Sequence, residues 1–170
     1  MFKKLAAVTA LLAGTIAVPV LSAGSATAGP AGSGNFCSFN VETQKMVCVA
    51  TEAELVGARA QAARNAVTPL ATYTIAKLYD NANYDASAGV LEVTAGASCT
   101  TSRSNIDSSI ADLGGWRNRI SSFQGFANCA VKLFENTNWG GSAYPGTGYY
   151  VSSTNVGAAM NDQAESVRFS

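Results

Sequence analysis

Val131-Lys132-Leu133-Phe134-Glu135-Asn136-Thr137-Asn138-Trp139-Gly140-Gly141-Ser142-Ala143 is the stretch that decides the fold, because the chain has already written it once. Fifty-five positions earlier stands Ala76-Lys77-Leu78-Tyr79-Asp80-Asn81-Ala82-Asn83-Tyr84-Asp85-Ala86-Ser87-Ala88. Lys, Leu, Asn, Asn, Ser and Ala recur at matching places, aromatic answers aromatic, and acid answers acid. Such a repeat is one supersecondary unit used twice, and two copies bury their apolar faces by packing around a shared core.

Working outward, the chain opens with an address. Lys3 and Lys4 begin it, Leu5 to Leu21 is mostly apolar, and Ala26-Thr27-Ala28 offers a small-x-small cleavage site before Gly29-Pro30. Residues 1–28 therefore read as an export signal, and the protein is expected to be secreted and extracellular. Losing Lys3 and Lys4 leaves nine basic residues against eleven acidic ones. No basic run exceeds two residues, so neither nucleic acid nor an anionic membrane is an expected partner. A monomer is expected.

The chain has no histidine. This removes Ser-His-Asp and Cys-His arrangements and the usual general base near neutral pH. The acids are few and scattered and mark no glycosidase-like pair. The expectation is a protein that is not an enzyme.

Four cysteines, Cys37, Cys48, Cys99 and Cys129, are an even count in an exported chain and allow three pairings. Their spacing points to Cys37–Cys48 across a local hairpin and Cys99–Cys129 within the repeated region. Without a C-x-x-C pair or any histidine, zinc is a poor alternative.

Residues 29–35 read as a flexible terminus. Residues 36–70 read as an extension of one hairpin and one helix. Its strands are Phe36–Phe39 and Lys45–Val49; Thr51 and Glu54 have capping-box spacing for a helix running to about Ala63 and closed by Asn65 and Pro69. From residue 71 the texture is β. Strands are expected at Tyr73–Tyr79, Val90–Val93, Ile120–Phe126, Ala130–Phe134, Gly148–Val151 and Ser166–Phe169, with turns rich in Asn, Gly and Ser between them. The long 97–115 segment is expected to hold a short helix at Ile106–Leu113. Trp116 and Met160 are expected to pack in the core or against the hairpins.

Phe134-x4-Trp139-Gly140-Gly141 resembles the aromatic-x4-aromatic-x-Gly hairpin of the βγ-crystallin Greek key. Tyr79-x4-Tyr84-Asp85-Ala86 repeats it with alanine in the glycine place, a departure that Gly89 is expected to relieve. Each hairpin is followed by six residues similar to the family's calcium motif, Arg117-Asn118-Arg119-Ile120-Ser121-Ser122 and Asn161-Asp162-Gln163-Ala164-Glu165-Ser166. The resemblance implies an all-β, βγ-crystallin-like double Greek-key sandwich over 71–170, with keys 71–126 and 127–170. Each key would lend a strand to the other's sheet.

The resemblance also implies Ca2+ as cofactor, since calcium takes six to eight oxygen ligands. Carried over by position, one site would use Asn118, the carbonyl of Arg119, Ser121 and the region of Glu135. The other would use Asp162, the carbonyl of Gln163, Glu165 and the region of Asp80. Arg117 in the first motif and Glu165 in the second depart from the pattern. A competing reading treats both loops as turn-closing networks, with Ser122 and Ser166 bonding nearby backbone. The function expected is a secreted binding module. The alternatives are a secreted metalloprotease inhibitor presenting the 97–115 segment to an extracellular protease, as in an actinobacterial family of this fold, or an antimicrobial killer-toxin-like protein. Both alternatives rest on fold analogy.

Overall fold

A computed structural model describes residues 35–65 and 72–170 of the chain. The proposed signal at 1–28, nearly all of the 29–35 stretch and the helix-closing Pro69 lie outside the described residues. The chain runs through β1 (Phe36–Asn40), β2 (Lys45–Val49) and α1 (Glu52–Asn65), followed by β3 (Tyr73–Tyr79) and β4 (Val90–Ala95). Then come β5 (Ser108–Ile110), β6 (Ser122–Gly125), β7 (Val131–Phe134), β8 (Ala143–Tyr144), β9 (Ser152–Ser153) and β10 (Ser166–Phe169).

The two repeats head equivalent four-strand units, β3 to β6 and β7 to β10. One sheet has the order β2-β1-β4-β3-β6-β9 and the other β5-β10-β7-β8. Strand β5 of the first unit pairs with β10 of the second, and β9 of the second pairs with β6 of the first. Each unit thus lends its third strand to the sheet of the other, the interlock of two Greek keys. The interior is made from both sheets: Ile75, Leu78, Leu91, Val93 and Phe123 face Ile110, Val131, Leu133, Val167 and Phe169. Trp116 and Met160 are buried in it, as their positions in the sequence lead one to expect.

The extension adds to this frame. Strand β1 pairs parallel with β4, which would otherwise form the sheet edge, and antiparallel with β2. An open edge is a template for unwanted pairing, and the hairpin covers it. Cys37–Cys48 joins β1 to β2 and Cys99–Cys129 ties the 96–107 loop to the body. Thr51 and Glu54 form the expected capping box: Glu54 N–H donates to Thr51 Oγ1 at 3.2 Å, and Thr51 N–H to Glu54 Oε2 at 3.2 Å. Helix α1 lies shallowly, with Leu55 its buried apolar anchor, and Arg59 reaches an ion pair with the buried Glu92 of β4. Thr74 of β3 donates to the same carboxylate.

Two expected elements differ, and one strand was not expected. No helix forms over Ile106–Leu113; the chain there is strand β5, and a 3-10 turn follows at Gly114–Trp116. The edge of β10 needs a partner, and pairing puts Ile110 beside Val167 in the core, which outweighs local helical preference. Gly148–Val151 is not a strand: Tyr150 makes a single bridge to Val131, and the pairing with β6 comes later, at Ser152–Ser153. The short strand β8 had no recognisable sequence signal.

Candidate metal centre at the rim of the sandwich

Both hairpins fold over in the same way. Asn83 and Tyr84 have φ of 61° and 60°, and Asn138 and Trp139 have 55° and 62°. Two successive left-handed residues are costly for side chains, so something must hold them. The last serine of each motif does so. Ser122 Oγ accepts from Tyr84 N–H at 3.1 Å and donates to the Asn81 carbonyl at 2.6 Å. Ser166 Oγ accepts from Trp139 N–H at 3.0 Å and donates to the Asn136 carbonyl at 2.6 Å. These serines do close turns, but turns some 30 to 40 residues away in sequence rather than their own.

The glycine position separates the copies. Gly141 has φ +72°, and a Cβ there would stand 2.9 Å from Asn136 Nδ2. Where the first copy has Ala86, the bend is closed by Asp85, which accepts from Ser87 N–H at 2.8 Å and from Ser87 Oγ at 2.9 Å. The Ser87 N–H holds the Asp85 carboxyl below its ordinary range, and the Ser142 N–H does the same for Glu135. Gly89, with φ +142°, passes so close to Asn35 that a Cβ would meet the Asn35 carbonyl at 2.4 Å.

The motif loops face one another across the sandwich. Asn118 and Asp162, the second residue of each motif, have φ of 57° and 55°. The left-handed turn brings each onto the other key's loop: Asn118 N–H donates to the Ala164 carbonyl at 2.9 Å and Asp162 N–H to the Ile120 carbonyl at 3.3 Å. The fifth residues stay with their own keys, Ser121 N–H on the Tyr79 carbonyl and Glu165 N–H on the Phe134 carbonyl, both at 2.9 Å.

The structure consequently assembles the eight residues differently from the grouping the resemblance implied. One rim holds Ser121 against Asp162 and, on the same loop, Arg119 against Asp80. At the other, Asn118 N–H donates to the Ala164 carbonyl between Gln163 and Glu165, and Glu165 N–H donates to the carbonyl of Phe134, next to Glu135. Asn118 and Asp162 have changed places, and Asp80 and Glu135 each stay beside their own key's motif. The sequence pattern shows which loops are equivalent but not that position two crosses between them.

At the first rim, the buried Ser121 hydroxyl lies 3.4 Å from Asp162 Oδ1. Asp162 Oδ2 accepts from Asn161 Nδ2 at 2.7 Å. Arg119 turns its guanidinium away, onto Asp80 Oδ2 at 2.8 Å and Asn35 Oδ1 at 3.1 Å, and stacks 4.3 Å from the centre of the Trp116 ring. At the second rim Glu165 Oε2 accepts from Thr137 N–H at 3.3 Å, and Glu135 Oε2 from Ser142 N–H at 3.0 Å. Arg117 is held by Asp112, whose carboxyl its guanidinium lowers below the usual range. Asp112 and Asn35 take part through spacings that carry no sequence signal. Among the described residues, no three His, Cys, Asp or Glu side chains converge as metal ligands. Any cation would depend on hydroxyl and carbonyl oxygens beside one carboxylate.

The strand order defines the class: an all-β, crystallin-like double Greek key with a disulfide hairpin and one helix added at one edge. No family model matches the chain, and no curated protein does. Among solved structures, a βγ-crystallin domain from Clostridium beijerinckii is similar at 17% identity, with a TM-score of 0.40, covering 56% of this chain and 95% of that one. A βγ-crystallin domain from Flavobacterium johnsoniae gives 18%, 0.37, 56% and 93% for the same quantities. A clostrillin double mutant in complex with nickel gives 16%, 0.41, 57% and 98%. At such values the likeness carries no argument about function.

Proposed function

We propose that the protein is a secreted, non-catalytic binding module that takes up one calcium ion at the Ser121–Asp162 rim. One observation carries this reading: two oxygens from different keys, Ser121 Oγ and Asp162 Oδ1, stand 3.4 Å apart. Neighbouring ligands of a calcium ion with Ca–O of 2.3–2.6 Å lie about 3–3.5 Å from each other, so the pair has that spacing once the hydroxyl hydrogen that Ser121 donates to Asp162 turns away. The Arg119 carbonyl, on the same loop, accepts no hydrogen bond among the described residues and is a third donor. The Arg119 guanidinium is neutralised by Asp80 and leaves the ligand position clear.

When bound, the ion supplies a cross-link between the two keys; the chain supplies a single formal charge. Ligand charge tunes affinity, so the dissociation constant belongs in the range of extracellular modules, about 10⁻⁴ to 10⁻³ M. A hundredfold excess over that constant would stabilise the fold by about 2.7 kcal/mol. Calorimetric titration tests it: calcium should release heat with the parent and not with Asp162→Ala. A silent titration of the parent removes the proposal.

A second reading, inhibition of an extracellular protease, is favoured by the exposed 96–107 loop. It is pinned by Cys99–Cys129, by Asp107 accepting from Thr100 N–H and Oγ1 at 3.1 Å each, and by Arg103 donating to the carbonyls of Asn128 and Ser170. Such restraint lowers the ordering cost of binding. Secreted metalloproteases assayed with a reporter substrate should slow when the protein is added; full activity across the panel would eliminate this reading.

A further inference from the structure

The outer face of the four-stranded sheet carries a charge pattern that neither the fold nor the rim requires. Along its strands Ile110, Val131, Leu133, Val167 and Phe169 turn inward and are buried. Ser109, Arg168 and Lys132 form the outward row, with Arg168 directly opposite both neighbours. None of the four strands contains Asp or Glu. Like charges directly opposite on adjacent strands repel, yet the chain places two there while its overall charge is balanced.

Neither cation enters an ion pair; among the described residues those pairs are Arg59–Glu92, Arg117–Asp112 and Arg119–Asp80. Instead, both lie on aromatic rings. The Arg168 guanidinium is 4.5 Å from the centre of the Trp139 ring and 5.4 Å from that of Phe134. The Lys132 ammonium is 5.9 Å from Phe134 and 6.0 Å from Tyr149, and donates to the Gly146 carbonyl at 3.3 Å. Glu135 and Glu165, the acids nearest in sequence, each have a carboxylate oxygen accepting from a backbone N–H at the rim.

We propose that this face binds an anionic polysaccharide. Lys132 and Arg168 are cross-strand partners, and both head groups approach the Phe134 ring, at 5.9 and 5.4 Å from its centre, so they can engage neighbouring carboxylates or sulfates of one polymer. Trp139 and Tyr149, each half-buried beneath one of the cations, widen the face with the ring edges that remain exposed to a sugar. Charge complementarity selects an anion, and the arrangement selects a glycan over other polyanions. A bilayer would call for apolar side chains projecting outward, whereas these rings lie beneath the cations. A nucleic acid strand would call for a longer run of cations than two.

The test uses the exported chain in low salt, titrated with dextran sulfate, polygalacturonate and neutral dextran. Binding to one or both charged glycans and not to the neutral one is expected, and comparing the two tells sulfate from carboxylate. Each of Lys132→Gln and Arg168→Gln should weaken binding about fivefold, and ligand should shift an emission component absent from Trp139→Phe. Both cations lie outside the core, so melting temperature should hold or rise as repulsion is relieved; the single variants report if the double variant unfolds. No binding, unchanged affinity in folded variants, or tighter binding to phosphatidylglycerol vesicles or single-stranded DNA than to either glycan would overturn the proposal.

Discussion

At the scale of single residues, the repeated positions act through backbone geometry more than through charge. Asn83, Asn138, Asn118 and Asp162 all sit in left-handed conformation, where Asn and Asp are the least penalised side chains after glycine. Ser122 and Ser166 then fasten the folded hairpins with one donated and one accepted bond each. The carboxylates have a separate effect, on pH dependence. Arg117 lowers the Asp112 carboxyl, and backbone N–H groups lower Asp85 and Glu135. A lowered folded-state value means the unfolded chain holds more protons in acid. The stabilisation is therefore complete above the unfolded value of about 4 and drains away as pH falls through the lower folded values. Asp112→Asn should lose stability less steeply than the parent below pH ~4 in acid melts. Parallel curves would show that the Arg117 pair contributes nothing.

At the scale of elements, the legible parts were those with a repeat or a period behind them. The hairpins, the capping box at Thr51–Glu54, both disulfides and most strands could be read from local pattern. Strand β5 could not, because its reason for existing is the edge of β10 some 60 residues later. Which rim residues meet was not legible for a related cause: it depends on a backbone turn at Asn118 and Asp162 that side-chain identity alone leaves open. The helix illustrates a weakly anchored element. Its docking rests on Leu55, the one buried apolar group of the helix among the described residues, and on Arg59 reaching Glu92. Leu55→Ala should cost about 2–3 kcal/mol and release α1 while the sandwich stays folded. Amide exchange should accelerate in α1, β1 and β2 and not in β7 or β10; uniform acceleration would mean that extension and sandwich unfold together.

For the molecule as a whole, the exchange of β5 and β9 between sheets is what places one key's loop against the other's. Each rim is therefore a junction of both keys, and a ligand held there would lock them together, while the outer face of the four-stranded sheet belongs to the second key's strands and β5. These two surfaces lie on different parts of the sandwich, so their tests are independent. The most direct measurement is a double-mutant cycle on calcium affinity, comparing Ser121→Ala with Asp162→Asn and Glu165→Ala with Asp162→Asn, where asparagine keeps one side-chain oxygen so that the affinity stays measurable. The cross-key rim predicts strong coupling for the first pair and simple additivity for the second. Coupling of Asp162 with Glu165 and not with Ser121 would contradict it.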